Sequence, residues 1–238
     1  MTNIGFQLDS HTNNGLRNKT FIGGVQMMNQ QSQSQVNSTQ VTPKINHGGH
    51  DLFDSHEIIA GMINVLDQYM IFRTFMKDQE LISLLDRQYT FIESQYNVLA
   101  EAFSTGQPPS QSTGVYKMTL SHNVQFGLTP SQPKKPNRNI SEVKEAGLSA
   151  HMLGLIKGQA SLMGMAASEI TNPIVRRVVA DTVPNFIELA YEIFLYQNKH
   201  QYYQVPQLKD SDAQAMTSAY QSVNGQPATM PQPRAPLQ

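Results

Sequence analysis

Two short segments pair a carboxylate with a phenol one helical turn later: Glu93-Ser-Gln-Tyr96 and Glu188-Leu-Ala-Tyr191. Residues i and i+3 share a helix face, so each pair would present both groups in one direction. Carboxylate-bridged di-iron sites inside helical bundles use this spacing, with a Glu from each of two helices and Glu-x-x-His from each of the others. Here Tyr stands where His would. The remaining candidates, His56 with Glu57 and His151 beside Met152, leave the ligand set incomplete and asymmetric. Glu57, Glu93, Glu188, His56 and His151 could form a degenerate metal site, or a hydrogen-bonded polar layer that fixes helix register, since a buried carboxylate is costly unless paired. We adopt the structural reading and assign no catalytic residue, cofactor or metal ligand.

Other chemistries find less support. There is no cysteine, hence no disulfide, thiolate metal site or cysteine nucleophile. No Gly-rich phosphate loop, His-Glu-x-x-His segment or nucleophile elbow occurs. His47-Gly-Gly-His50 reads as solvated within a flexible leading segment, and Met152 and Met163 to Met165 as adaptable core filling. With 17 basic and 18 acidic residues the net charge is -1, and the one basic cluster is Lys134, Lys135 and Arg138. No overall field draws nucleic acid. The first ten residues lack a basic stretch followed by an apolar run, and no segment reaches the roughly 18 apolar residues of a membrane span. Cytoplasmic synthesis without a signal peptide is expected.

The elements that would position these groups follow from apolar periodicity. Ile58, Met62, Val65, Tyr69, Phe72 and Met76 alternate spacings of four and three, giving helix 1 over about 54–76, capped by Asp54 or Ser55. Asp78 caps helix 2, whose stripe is Leu81, Leu85, Gln88, Ile92, Gln95 or Tyr96, Leu99 and Phe103, ending at Thr105-Gly106. Helix 3 opens at Ser141 and carries Leu148, Met152, Leu155, Gln159, Leu162, Ala166 and Glu169. Gly154, Gly158 and Gly164 weaken it, so close helix contact and a central position are expected. Asn172-Pro173 starts helix 4, which runs to about Lys199 with a kink expected at Pro184. The Lys199-His-Gln-Tyr-Tyr segment after it could pack its aromatics on the bundle end.

The two hairpins echo each other at an offset of 95 residues, with Phe91-Ile-Glu-Ser-Gln-Tyr96 against Phe186-Ile-Glu-Leu-Ala-Tyr191. Between them, 105–140 is rich in Pro and Gly and reads as a long crossover in which Val115 to Leu120 forms a short strand or lies extended. The expected fold is all-α: a ferritin-like four-helix bundle over 50–208, with hairpins at 54–104 and 141–199 and helices 1 and 3 opposite helices 2 and 4. The Gln/Asn/Ser-rich 1–49 and the Pro-punctuated 209–238 read as disordered tails.

The ordered region resembles the spore coat protein F family of endospore-forming bacteria. The resemblance is carried by Gly48-Gly-His-Asp-Leu-Phe-Asp-Ser-His-Glu57, Leu66-Asp-Gln-Tyr-Met-Ile-Phe-Arg73, Leu128-Thr-Pro-Ser-Gln-Pro-Lys-Lys-Pro136, Thr171-Asn-Pro-Ile-Val-Arg-Arg177 and Tyr191-Glu-Ile-Phe-Leu-Tyr-Gln-Asn-Lys199. It covers about 48–208. It implies a ferritin-like fold without established enzyme activity, placement in or beneath the spore coat, and other coat proteins as partners, with self-association left open. No site residue is transferred with it.

Overall fold

The computed structural model describes residues 47–225. The expected N-terminal tail, apart from its last three residues, and the final part of the C-terminal one lie outside the described residues. Four long helices, α1 (Gly49–Arg73), α2 (Gln79–Thr105), α3 (Glu145–Ala166) and α4 (Pro173–Lys199), are followed by the short α5 (Asp210–Thr217). Among the described residues there is no strand, only an isolated bridge between Phe126 and Val205.

Local chemistry accounts for most of the boundaries. The Asp78 side chain accepts from Glu80 N–H at 2.8 Å to open α2, and Gly106 closes it in the left-handed region at φ 63. Asn172 accepts from the N–H groups of Ile174 and Val175 at 2.9 and 3.1 Å, with Pro173 in the first turn, where its missing N–H leaves no extra donor unmet. Helix α4 continues through Pro184, whose ring leaves the Ala180 carbonyl without its usual donor, and Asn185 Nδ2 reaches the next carbonyl, Asp181, at 3.2 Å.

Several boundaries differ from expectation, among them the end of α1, which falls at Arg73 rather than 76. Helix α1 starts five residues before the expected 54, because Asp51 accepts from Gly48 N–H at 2.5 Å and so secures an earlier first turn. Ser141 opens only a single 3-10 turn (Ile140–Glu142) capped by Asn139, and α3 begins after it at Glu145. The stretch from 209, read as a loose tail, contains α5, with acidic Asp210 and Asp212 in its first turn facing the positive dipole end.

Helix α1 packs on α2 and α3, and α4 packs on the same two, so the α1–α3 pair faces the α2–α4 pair. Long-range bonds fix the directions. Thr171, in the α3–α4 turn, bonds Asp51 at the start of α1, while Lys77 N–H, in the α1–α2 turn, bonds Glu145 at the start of α3. Lys199 at the end of α4 bonds Glu80 at the start of α2. Every packed pair is therefore antiparallel, and 106–139 must travel from one end of the helices to the other.

Ile58, Met62, Val65 and Tyr69 of α1, Leu81, Leu85, Ile92 and Leu99 of α2, and Val175, Val179, Phe186, Leu189 and Ile193 of α4 form one core. Burying each of the large side chains contributes roughly 1.5–3 kcal/mol before chain entropy is counted. On α3 the buried line is Leu148, Met152, Ile156, Gln159, Met163 and Ala166, while Leu155 and Leu162 sit at its edge and Glu169 is exposed. A helix of 3.6 residues per turn drifts off a strict heptad, which explains the one-residue shift. Met165 is exposed rather than core filling.

The glycines correct a further expectation. A Cβ at Gly154, Gly158 or Gly164 would meet nothing within 4 Å, and all three lie on the exposed face of α3, which is no more central than its neighbours. The close approach occurs on α1 instead. A Cβ at Gly61 would stand 2.2 Å from Gln159 Oε1, whose amide Nε2 donates to the Ile58 carbonyl at 2.8 Å.

The crossover forms no strand at 115–120 but lies extended on the helices, with Tyr116 buried, Met118 and Leu120 packed against the core, and Val115, Lys117 and Thr119 more exposed. That period of two is the side-chain alternation of extended backbone.

Candidate functional site

The five side chains singled out for metal or polar-layer chemistry do not converge. His56, Glu57, Glu93, His151 and Glu188 are all exposed, so the expected interior cluster is not formed by them. His151 stacks on Phe72 at 5.9 Å, and Tyr191 lies between His122 and Phe194 at 5.7 Å from each. The pairs fail because Ile92, just before Glu93, and Leu189, just after Glu188, face the core, and an adjacent helical residue points about 100° away. His47 is not free in solvent either: its Nε2 lies 2.6 Å from the Phe103 carbonyl and its ring stacks on Phe103.

The buried carboxylate is Glu192, fully enclosed on α4. Its Oε2 accepts from the Tyr116 hydroxyl. Its Oε1 accepts from Arg87 Nη2 at 2.9 Å, Thr119 N–H at 2.8 Å and the Thr119 hydroxyl at 3.2 Å. Next to it Tyr69 donates to Gln88 Oε1 at 2.9 Å, and Gln88 Nε2 donates to the Leu189 carbonyl at 3.0 Å. A polar layer thus exists, and it joins all three of α1, α2 and α4 to the crossover.

Burial pushes the Glu192 carboxyl up, but the bonds from Tyr116 and Thr119 and the Arg87 charge outweigh it and hold its pKa below the ordinary carboxylate value. Burial and the adjacent Glu192 push the Tyr116 phenol well up. The pair therefore stays carboxylate and phenol at neutral pH. With both oxygens bonded to donors of the chain and the group fully enclosed, the arrangement ties segments together.

A second buried carboxylate, Asp51, works at the opposite end. It accepts from Thr171 N–H at 2.5 Å, the Thr171 hydroxyl at 2.7 Å, Asn172 N–H at 3.2 Å and Gly48 N–H. Burial opposes ionisation, yet the Thr171 hydroxyl and the three backbone donors leave its pKa lowered. The α3–α4 turn is thereby fastened to the start of α1.

Asp78, Glu80 and His200 bring one ligand atom each to within 4.8 Å of one another. The chain already occupies these atoms. Lys199 Nζ bonds both Glu80 oxygens at 2.9 and 2.8 Å, and Asp78 Oδ2 accepts from the Tyr196 hydroxyl at 2.8 Å. Tyr202 and His200 stack beside them, so the aromatics after α4 do pack on this end. A cation here would have to displace a lysine.

Sequence reasoning passed over Glu192, Tyr116, Arg87 and Asp51. The one available signal was a carboxylate set among Leu189, Ile193 and Tyr196, and nothing local names a partner 76 residues away.

A model of the Coat F domain matches residues 144–206. The chain is 48% identical over 199 residues to the spore coat protein F-like protein YhcQ of Bacillus subtilis, covering 83% of this chain and 92% of that protein. No solved structure matches.

Proposed function

This chain belongs to the spore coat protein F family, and from that premise we propose that it is a structural component of the bacterial spore coat that acts by protein–protein interaction. In this reading 50–208 is a ferritin-like four-helix bundle flanked by 1–49 and 209–238, its partners are other coat proteins, and it is not an enzyme. The observation that carries it is the satisfaction of both buried carboxylates, Asp51 and Glu192, by donors of the chain itself. Its buried charge is thus committed to holding the helices together, while large apolar side chains such as Phe53, Ile71 and Ile187 remain on the outside, where another protein can cover them. The antiparallel packing with an end-to-end crossover supports the ferritin-like topology.

A metal-binding or redox role is not favoured, because Glu57, Glu93, Glu188, His56 and His151 are spread over the exposed surface. The test of the coat reading is a fluorescent fusion followed through sporulation, paired with a deletion. A shell around the forespore and altered extractable coat protein are expected. A diffuse signal in the mother cell, together with unchanged coat composition in the deletion strain, would sink the reading.

A further inference from the structure

Just past α4 the chain reverses in a conformation that its residue type rarely takes. Gln201 has φ 60, in the left-handed region, at the position after the helix cap that glycine ordinarily fills. Its amide is committed: Nε2 donates to Gln125 Oε1 at 2.6 Å and to the Asn198 carbonyl at 3.3 Å. The N–H groups of Tyr202 and Tyr203 both bond the Gln197 carbonyl, at 2.8 and 3.1 Å, which folds 201–204 back over the end of α4. Between this reversal, Ala146 and Ala150 at the start of α3, and the crossover at Ser131 and Lys134 lies a cavity of about 480 Å³. That volume is within the range of small-ligand sites.

One buried group opens onto the cavity without a partner. Gln197 lines it and is only 3% exposed. The Ser149 hydroxyl gives its proton to the Glu145 carbonyl at 2.7 Å, so toward Gln197 it can only accept. This fixes the amide, with Nε2 on Ser149 at 3.1 Å and Oε1 turned away. Among the described residues that Oε1 accepts from no donor, yet it is not sealed from solvent. Gln201, its Nε2 engaged, likewise has an unused Oε1. Gln204 is the converse: its Oε1 accepts from Thr129 N–H at 2.6 Å, which leaves Nε2 to donate. Ser131 adds a hydroxyl, and Lys134 is the one charged residue of the lining.

These groups select among ligand chemistries. A cation would meet Lys134 and no carboxylate. An ionised carboxylate or phosphate, an acceptor only, would leave the amide oxygens unmet. An apolar ligand would cover Gln197 Oε1 without a donor, the costly case for a buried polar atom. A hydroxyl both donates and accepts, and several set around one ring answer amide oxygens, amide N–H groups and an ammonium together. We propose that the cavity binds a neutral sugar, with Gln197 Oε1 accepting from one ring hydroxyl and Gln204 Nε2 and Lys134 Nζ donating to its neighbours. The Tyr203 ring, 43% exposed, supplies apolar surface for the C–H groups of the sugar.

Saturation-transfer NMR on the purified full chain tests it, with glucose and N-acetylglucosamine as probes, each as the free sugar and as a linear tetramer. Transfer to the ring protons of at least one probe is expected. A tetramer held more tightly than its monomer identifies the ligand as a unit of a glycan, and equal binding identifies a free sugar. Ala150→Phe fills the cavity from the exposed side of α3 and removes no polar bond. It should abolish transfer while helicity and melting temperature stay unchanged. Gln197→Met removes the amide at similar length and should weaken binding about tenfold. No transfer to any probe, transfer undiminished in Ala150→Phe, or displacement of the sugar by acetate or tetramethylammonium at equal concentration would each overturn the proposal. The measurement uses purified protein, so its failure leaves the coat assignment standing, and a diffuse signal in sporulating cells leaves the sugar site standing.

Discussion

Tyr116 donates its hydroxyl to Glu192 across 76 residues of chain, and this contact anchors the crossover to α4. The crossover has no helix over most of its length, so its hold on the helices depends on Tyr116, the partly buried Met118 and Leu120, and polar ties such as Thr119 to Glu192.

Tyr116→Phe keeps the ring contact with Phe91 and removes one charge-assisted bond, so a loss of about 1.5–3 kcal/mol is expected. Glu192→Ala should be worse, about 2–5 kcal/mol, because the Tyr116 hydroxyl and the Thr119 N–H are stranded together and Arg87 loses its carboxylate. Urea denaturation of both variants measures the order. Limited proteolysis between 115 and 125 should also quicken more in Glu192→Ala.

Acid should loosen both ends of the molecule. Asp51 and Glu192 have folded-state pKa values below their ordinary 3.8 and 4.5, so the unfolded chain binds protons first as pH falls. Their contribution is complete above those ordinary values and is lost as pH drops through the folded ones. Stability should therefore hold from pH 7 to about 5 and decline below about 4. Asp51→Asn should flatten that decline while lowering stability at neutral pH, and a slope unchanged by Asp51→Asn would count against this assignment.

Opposite signs are expected for two Gly→Ala changes. At Gly61 the added methyl group collides with the Gln159 amide, breaking its bond to the Ile58 carbonyl, for a loss of about 1–3 kcal/mol. At Gly158, helical and open to solvent, the same change should stabilise by about 0.5–1 kcal/mol. Thermal melts of the two single variants decide it.

Asp78→Ala removes a helix cap worth about 1 kcal/mol and also strands the Tyr196 hydroxyl, buried beneath it. Asp78→Asn should recover most of the loss, since an amide oxygen can still cap α2. Comparing denaturation midpoints of the two variants with wild type checks this.

Local order was decided by the sequence itself. The apolar spacings of α1, α2 and α4, the caps at Asp78 and Asn172 and the stop at Gly106 act within a few residues of where they are written, because a helix turn closes over four residues. The long extended connection was legible for the same reason, through its prolines and glycines. Which carboxylate enters the interior was a tertiary matter. Glu93 and Glu188 had the promising spacing, but each helix turns on its axis until its widest apolar face is covered, and that rotation exposes both and buries Glu192. The partners of Glu192 and Asp51 arrive from the crossover and the α3–α4 turn, segments far away in sequence, and only packing brings them there. The same rotation left Gly154, Gly158 and Gly164 facing water and made Gly61 the point of closest approach.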